Sequence, residues 1–190
     1  MIRVRDYEGR LRFTPLRIAK AAGRRTVQLA LLVLAVLHSK FDRKPLVDPE
    51  GNAVVSLTTF GPRTLRVQYS IATIGRGHTL PKRLVLWLDE SQLELRDRAP
   101  LQRLARRGLE IRAANALYGP HKKYYPALGL TEGAPLVTAD DDVIYPRYWL
   151  KKLLCKYAAS GGESVVAYRA KLVRFQGDSL APYNTWPLAT

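Results

Sequence analysis

The chain has 190 residues, of which 47% are hydrophobic, enough for one globular domain with a core. Lysine and arginine number 31 against 16 acidic residues, and the resulting net charge of +15 indicates an anionic partner: nucleic acid, an acidic membrane surface or a phosphorylated substrate. A single cysteine, Cys155, excludes an internal disulfide, and its place in a helical pattern predicts a core position. The three histidines are scattered, so no zinc-type Cys/His spacing is present.

The N-terminal segment combines positive charge with an apolar run. Residues 1–26 are rich in arginine, and residues 27–37, VQLALLVLAVL, are almost wholly apolar. A bilayer span takes about 20 residues, and no small-residue cleavage site of a signal peptide follows the run. The run therefore predicts either an interfacial helix on anionic lipid or a helix packed on the domain. Prolines and a glycine in 42–53 predict a boundary, which divides the chain into a basic segment, 1–50, and one domain, 51–190.

Short apolar runs typical of buried strands start near residues 54, 83, 109, 135 and 165. Helical patterns lie between most of them, over residues 64–75, 91–107 and 146–159, with Pro146 in a first turn. Alternating strands and helices predict an α/β domain with a Rossmann-like, mostly parallel sheet. Ligands of such sheets bind at the carboxyl ends of the strands. Polar residues follow three of the predicted strands at that end: Thr58 and Thr59, Asp89 and Glu90, and Asp140 to Asp142.

Three consecutive aspartates, Asp140, Asp141 and Asp142, directly follow the apolar run that ends at Ala139. Adjacent carboxylates repel one another, so a fold keeps them together mainly where a cation or a ring of donors compensates. Carboxylate oxygens suit Mg²⁺ or Mn²⁺, which take one or two carboxylates and fill their remaining positions with water and phosphate. The alternative is a solvated turn in which aspartate caps the following helix.

Four ordered stretches of the chain resemble bacterial nucleotide-sugar glycosyltransferases of the GT-A fold. They are VVSLTTFGPR at 54–63, LPKRLVLWL at 80–88, GPHKKYYPAL at 119–128 and VTADDDVIYPRYWLKKL at 137–153, and together they cover about residues 52–170. The last stretch looks like the DxD motif of these enzymes. The resemblance implies transfer of a sugar from a nucleotide-diphosphate donor to a saccharide or lipid-linked acceptor, with Mn²⁺ or Mg²⁺ as cofactor, for cell-surface polysaccharide synthesis. Together with the basic excess, this function predicts a cytoplasmic protein, peripheral at the inner membrane face.

The resemblance assigns roles to individual residues. Asp142 is implied as a metal ligand, and Asp140 as a group that contacts the ribose, metal-bound water or the metal itself. Asp141 could share either role, because three acids leave the register uncertain by one. One of Lys122 and Lys123 is implied to meet the diphosphate, where a cation stabilises the leaving oxyanion; a solvated basic turn is the alternative.

The remaining candidates for donor binding also have plain structural alternatives. Thr58, Thr59 and Arg63 open the loop that cradles the nucleotide in this fold, or are ordinary strand, turn and surface residues. Asp89 or Glu90 is implied to read the base or ribose, or caps a helix together with Ser91. Trp87 and Trp149 are expected in the core, and Tyr145 is expected to pack against the strands.

The C-terminal part is short for this fold, whose second half supplies the acceptor site and, in inverting enzymes, a carboxylate base. About 20 residues follow the predicted fifth strand, with Asp178 as their one acid. We therefore expect a domain truncated at the C-terminus, with no assignable catalytic base. Two other functions remain open: a basic nucleic-acid-binding α/β protein, although no aromatic-interleaved basic patch supports it, and a metal-dependent phosphohydrolase, which would need a second acid such as Asp89 or Glu90.

Overall fold

Four parallel strands form the centre of the fold. In the computed structural model, which describes residues 26, 30 and 32–189, they are β1 (Val54–Thr58), β2 (Arg83–Asp89), β3 (Leu109–Ala114) and β4 (Leu136–Ala139). Their order in the sheet is β3-β2-β1-β4, and every neighbouring pair is parallel. The predicted α/β fold with a parallel sheet is confirmed at this level, and the arrangement is consistent with a Rossmann-like fold.

Helices and 3-10 turns connect the strands. Residues 32–41 are helical and are called α1. A 3-10 turn, Gly61–Leu65, leads into α2 (Val67–Ile74), and a second one, Glu90–Asp97, precedes α3 (Ala99–Ala105). The β3–β4 connection contains the 3-10 segments Ala116–Lys123 and Leu128–Leu130. Helix α4 (Trp149–Ala159) begins after Pro146, whose carbonyl oxygen accepts the Trp149 N–H. A short hairpin follows, with two residues in each strand, β5 (Phe175–Gln176) and β6 (Ser179–Leu180). After it comes a 3-10 turn, Tyr183–Thr185.

The two faces of the sheet have different covers. On one face Val55, Leu57, Leu84 and Leu86 pack against apolar side chains of α2, α3 and α4. On the other face Val54, Val85 and Trp87 pack against Ala127 and Leu130 of the β3–β4 connection. Alternation along each strand explains the division, because successive side chains of a strand point to opposite faces. The expected core positions of Trp87, Trp149 and Tyr145 are confirmed.

Residues 42–53, predicted as a linker, pack closely on the domain. The Leu46 side chain is fully buried in the main core, and its N–H donates to the Arg107 carbonyl oxygen over 2.8 Å. Gly108 has a φ of +106°, and a Cβ there would approach Val47 Cγ2 to 2.6 Å, so a larger residue would be excluded. The predicted basic segment lies outside the described residues over 1–25, and so do residues 27–29 and 31 of the apolar run. Within the described part of the chain, no helix has the length and apolar character needed to cross a bilayer.

Two predictions about the C-terminal third are wrong. The run at 165–169 forms no sheet strand; it follows α4 as irregular chain, and Val165 is fully exposed. The strand propensity of its residues is not realised because propensity depends on a paired, half-buried setting that this segment lacks. Cys155 is exposed rather than buried, because the buried residues of α4 lie in its first turn, at Trp149 and Leu150.

Candidate functional site

Strands β1 and β4 bring the candidate residues to one edge of the sheet. Their register aligns Leu57 with Ala139, so the residues after both strands emerge side by side. From β1 the sheet extends through β2 to β3 on one side, and β4 pairs with β1 on its other side. The point between β1 and β4 is therefore the topological switch of the sheet, where ligands of open parallel sheets bind.

Asp141 is the inward-facing member of the aspartate triplet. It is buried, and its Oδ2 accepts a 2.6 Å hydrogen bond from Thr59 Oγ1. Arg63 Nη1 lies 3.4 Å from its Oδ1, and Ser70 Oγ donates to its backbone carbonyl over 2.8 Å. These bonds tie the aspartate loop to β1 and α2. Asp141 therefore anchors the aspartate loop to the domain.

Asp140 and Asp142 flank this anchor and face outward. Their side chains are 60% and 65% exposed, and each lies beside a cation. Lys123 Nζ donates to Asp140 Oδ1 over 2.7 Å, and Arg63 Nη1 lies 3.9 Å from Asp142 Oδ2. The alternation of outward, inward and outward carboxylates leaves two of the three acids accessible to a ligand.

Lys122 and Asp89 form a second pair in which both side chains are almost fully buried. Asp89 ends β2, and the pair holds the segment Ala116–Lys123 over the end of that strand. Burial lowers the pKa of the Lys122 ammonium from its ordinary value. Asp89 makes no side-chain capping bond to the following 3-10 turn, so the predicted capping role is wrong. Lys122 is likewise not a solvated turn residue, whereas Lys123 lies closer to solvent.

Tyr145 supports the aspartate loop from within the core, a role that the sequence did not reveal. Its hydroxyl accepts the Asp140 N–H over 2.6 Å, and its own N–H donates to Thr73 Oγ1 over 3.0 Å. Burial raises the pKa of the Tyr145 hydroxyl to about 12, with the three aspartates adding to the effect, so the phenol stays neutral. The one sequence feature that could have indicated this role is the position of Tyr145, five residues after Asp140.

The candidate residues line a cleft of about 570 Å³. Its walls contain all the predicted donor-binding residues: Thr58, Thr59, Arg63, Asp89, Lys122, Lys123, Asp140 and Asp141. They also contain Phe60, an exposed ring that sequence reasoning did not single out. Thr58 donates its hydroxyl to the Trp87 carbonyl oxygen over 3.0 Å, which makes it a structural residue of the wall. A second, mostly apolar groove of about 930 Å³ lies between β4, α4 and residues 164–169, and Asp140 lines it as well.

The two outer carboxylates are of the type that a hard divalent cation with few protein ligands takes; Asp140 lines the cleft, whereas Asp142 lies beside Arg63 and is not among the residues that line it. In the described part of the chain, three or more His, Cys, Asp or Glu side chains do not converge on one point. Asp140 and Asp142 supply two accessible carboxylates, and Mg²⁺ usually binds one or two of these and takes its other ligands from water and phosphate. Lys123 and Arg63 add the positive charge that phosphate oxygens require.

Comparisons with protein-family models, with curated proteins and with solved structures each find no match for this chain.

Proposed function

We propose that the chain is the donor-binding part of a GT-A-type glycosyltransferase, which moves a sugar from a nucleotide diphosphate to a saccharide or lipid-linked acceptor. One observation carries this proposal. Two exposed carboxylates, Asp140 and Asp142, lie with two cations, Lys123 and Arg63, at the switch point of a parallel sheet. Carboxylates for a metal and cations for phosphates, side by side at that place, are what a metal-bound diphosphate requires.

The charged groups after β1, before β4 and after β4 have separate parts in this reaction. Asp140 and Asp142 would hold Mn²⁺ or Mg²⁺, which when bound supplies charge stabilisation to the departing diphosphate. Lys123 and Arg63 bind phosphate oxygens and stabilise the negative charge that develops as the glycosidic bond breaks. The buried Asp141 and the Tyr145 hydroxyl hold the loop that presents the two outer carboxylates.

The groove beside the cleft is the proposed binding site for the acceptor. Asp140 lines both spaces, so a molecule in the groove and a donor in the cleft would meet at this residue. The groove contains Val137, Trp149, Leu153 and Leu154, an apolar lining that suits the apolar part of a lipid-linked acceptor. We place the reaction in the cytoplasm, at the inner face of the membrane, where the positive charge of the chain favours anionic lipid.

The ion pairs of the cleft favour a transferase over the phosphohydrolase alternative. A hydrolase of that kind needs a second acid at another strand end. Asp89 is the acid at the end of β2, and its carboxylate is bound by Lys122 in a buried pair. Glu90 is exposed and begins the 3-10 turn that leads away from the sheet.

The test is calorimetric titration of UDP- and GDP-sugars, after a thermal-shift screen with Mn²⁺ has selected the donor. We expect the affinity to fall at least about tenfold when metal is omitted and again in Asp142→Ala. The matched control is Asp178→Ala, an exposed aspartate in the β5–β6 turn, which should bind the donor as the wild type does. Equal affinity with and without metal, in the wild type, would contradict the proposal.

A further inference from the structure

Helix α1 presents two opposite faces. Ala35 and Ser39, one helical turn apart, are buried against the domain. Val33, Leu37 and Phe41 follow the same four-residue spacing on the opposite side, and their side chains are 56%, 46% and 67% exposed. Leu34 lies beside them and is 46% exposed. A surface helix ordinarily turns polar residues outward, so this outward apolar stripe needs a separate explanation.

A basic and aromatic patch adjoins the stripe. His38 of α1 shares a 2.9 Å hydrogen bond with Arg76, and Arg147 Nε donates to the Arg76 carbonyl oxygen over 3.3 Å. The His78 N–H donates to the Arg147 carbonyl oxygen, and the rings of His78 and Tyr148 lie 4.3 Å apart. Tyr148 is 55% exposed. The helix is thus joined by continuous contacts to two arginines and an exposed tyrosine.

The C-terminal end of α1 adds further positive charge. Lys40, Arg43 and Lys44 are exposed there, and Lys40 Nζ lies 5.7 Å from the Phe41 ring centroid. Asp42 is the acid within this short stretch, and it is half-buried beside Arg107 at 3.6 Å. The exposed charged side chains of residues 40–44 are therefore positive.

This combination identifies the class of partner. A second copy of the chain would bring two molecules of net charge +15 together through surfaces that are both basic, which electrostatic repulsion opposes. An anionic bilayer matches both parts of the surface: apolar side chains enter the acyl boundary, cations meet the headgroups, and tyrosine lies at the interface. We propose that the stripe Val33, Leu34, Leu37 and Phe41, with the adjoining basic patch, docks the chain on an anionic membrane surface.

The proposal is tested by co-sedimentation of the full chain with vesicles of phosphatidylcholine, alone or with roughly 30% phosphatidylglycerol. We expect at least about tenfold stronger binding to the anionic vesicles, weakened by added salt. Leu37→Glu and, as a second variant, Phe41→Ser should each reduce that binding roughly tenfold, because they remove apolar contact. Leu37 and Phe41 are 46% and 67% exposed, so neither is a core residue, and an unchanged melting temperature checks that the fold is retained.

The matched control is Leu180→Glu, which makes the same chemical change at a leucine of β6 that is 61% exposed. It should bind vesicles as the wild type does. The proposal is overturned if Leu37→Glu and Phe41→Ser bind like the wild type, if the control loses as much binding, or if neutral vesicles bind equally well. It is also overturned if light scattering shows a dimer that Leu37→Glu dissociates. Donor titration of Leu37→Glu should be unchanged, which separates this inference from the transferase proposal.

Discussion

Two aspartate–lysine pairs line the same cleft, and they are formed by adjacent lysines. In the pair of Lys122 with Asp89, the side chains are 4% and 3% exposed, whereas in the pair of Lys123 with Asp140 they are 28% and 60% exposed. Breaking a buried pair leaves a charge without solvent or partner, while breaking an exposed pair returns both groups to water. The first pair therefore belongs to the structure of the cleft, and the second is available to a ligand.

The difference has a simple origin in the chain. Lys122 and Lys123 lie at the end of one 3-10 segment and point to different surroundings. Lys122 faces the end of β2, where Asp89 is covered by the segment itself, and Lys123 faces the outward side of the aspartate loop. Residue type alone predicts a cation near phosphate for both, and only the surroundings separate the two roles.

The largest effect is expected from Asp89→Ala. This variant leaves the Lys122 ammonium buried without its carboxylate, and we expect the free energy of unfolding to fall by about 3–5 kcal/mol. Asp140→Ala is the matched control from the exposed pair, with an expected loss of at most about 1 kcal/mol. Chemical denaturation of both variants measures the difference.

A double variant sharpens this comparison. Asp89→Leu combined with Lys122→Met replaces the buried pair by apolar groups, which is often neutral or stabilising. We expect it to recover most of the stability that Asp89→Ala loses. If Asp89→Ala and Asp140→Ala destabilise the protein equally, burial does not separate the two pairs.

The strands of the sheet could be predicted from the sequence, because β1 to β4 are short apolar runs bounded by polar or turn residues. The parallel arrangement followed from the helical patterns between them. The run at 165–169 has the same residue types, yet Val165 is exposed. A strand needs a neighbour to pair with, and pairing is a property of the whole fold that a local pattern does not contain.

The division of roles among the three aspartates could not be predicted. Asp141 is buried because Thr59, Arg63 and Ser70, which lie 71 to 82 residues earlier, converge on it. A sequence pattern places the triplet at the strand end but does not show which carboxylate meets distant partners. Tyr145 was expected to pack against the strands and does so, but its hydrogen bond to Asp140 depends on how the loop folds back.

A smaller effect on stability, but a clear one on ligand binding, is expected from Lys123→Ala. The exposed pair should contribute little to folding, whereas loss of a cation beside the phosphates should weaken donor binding about tenfold, or roughly 1.4 kcal/mol. Lys82→Ala is the matched control, since Lys82 pairs with Glu132 at 3.4 Å outside the cleft. Calorimetric titration with the donor and Mn²⁺ distinguishes the two variants, and equal donor affinity in both would assign Lys123 to the surface.

The smallest effect concerns a third ion pair, of intermediate burial, on the sheet away from the cleft. Arg83 donates to both Glu110 carboxylate oxygens at 2.7 Å, and their side chains are 21% and 29% exposed. The hydrogen bonds from Arg83, assisted by those from Arg112, hold the pKa of Glu110 below its ordinary value of 4.5. The ionised form is thus favoured in the folded state, and its contribution is present above about pH 4.5 and lost as the pH falls through the lower, folded-state pKa.

Glu110→Gln should therefore be less stable than the wild type near neutral pH, by about 1 kcal/mol or less because the pair is partly solvated. The difference should shrink as the pH falls below about 4.5, since the wild-type carboxylate then takes up a proton that the amide does not. Urea denaturation of both proteins across the acid range measures this, with Glu132→Gln as the control from the more exposed pair with Lys82. A difference that stays constant with pH would show that Glu110 acts through packing rather than charge. The pair of Arg83 with Glu110 would then not belong in a comparison of ion pairs by burial.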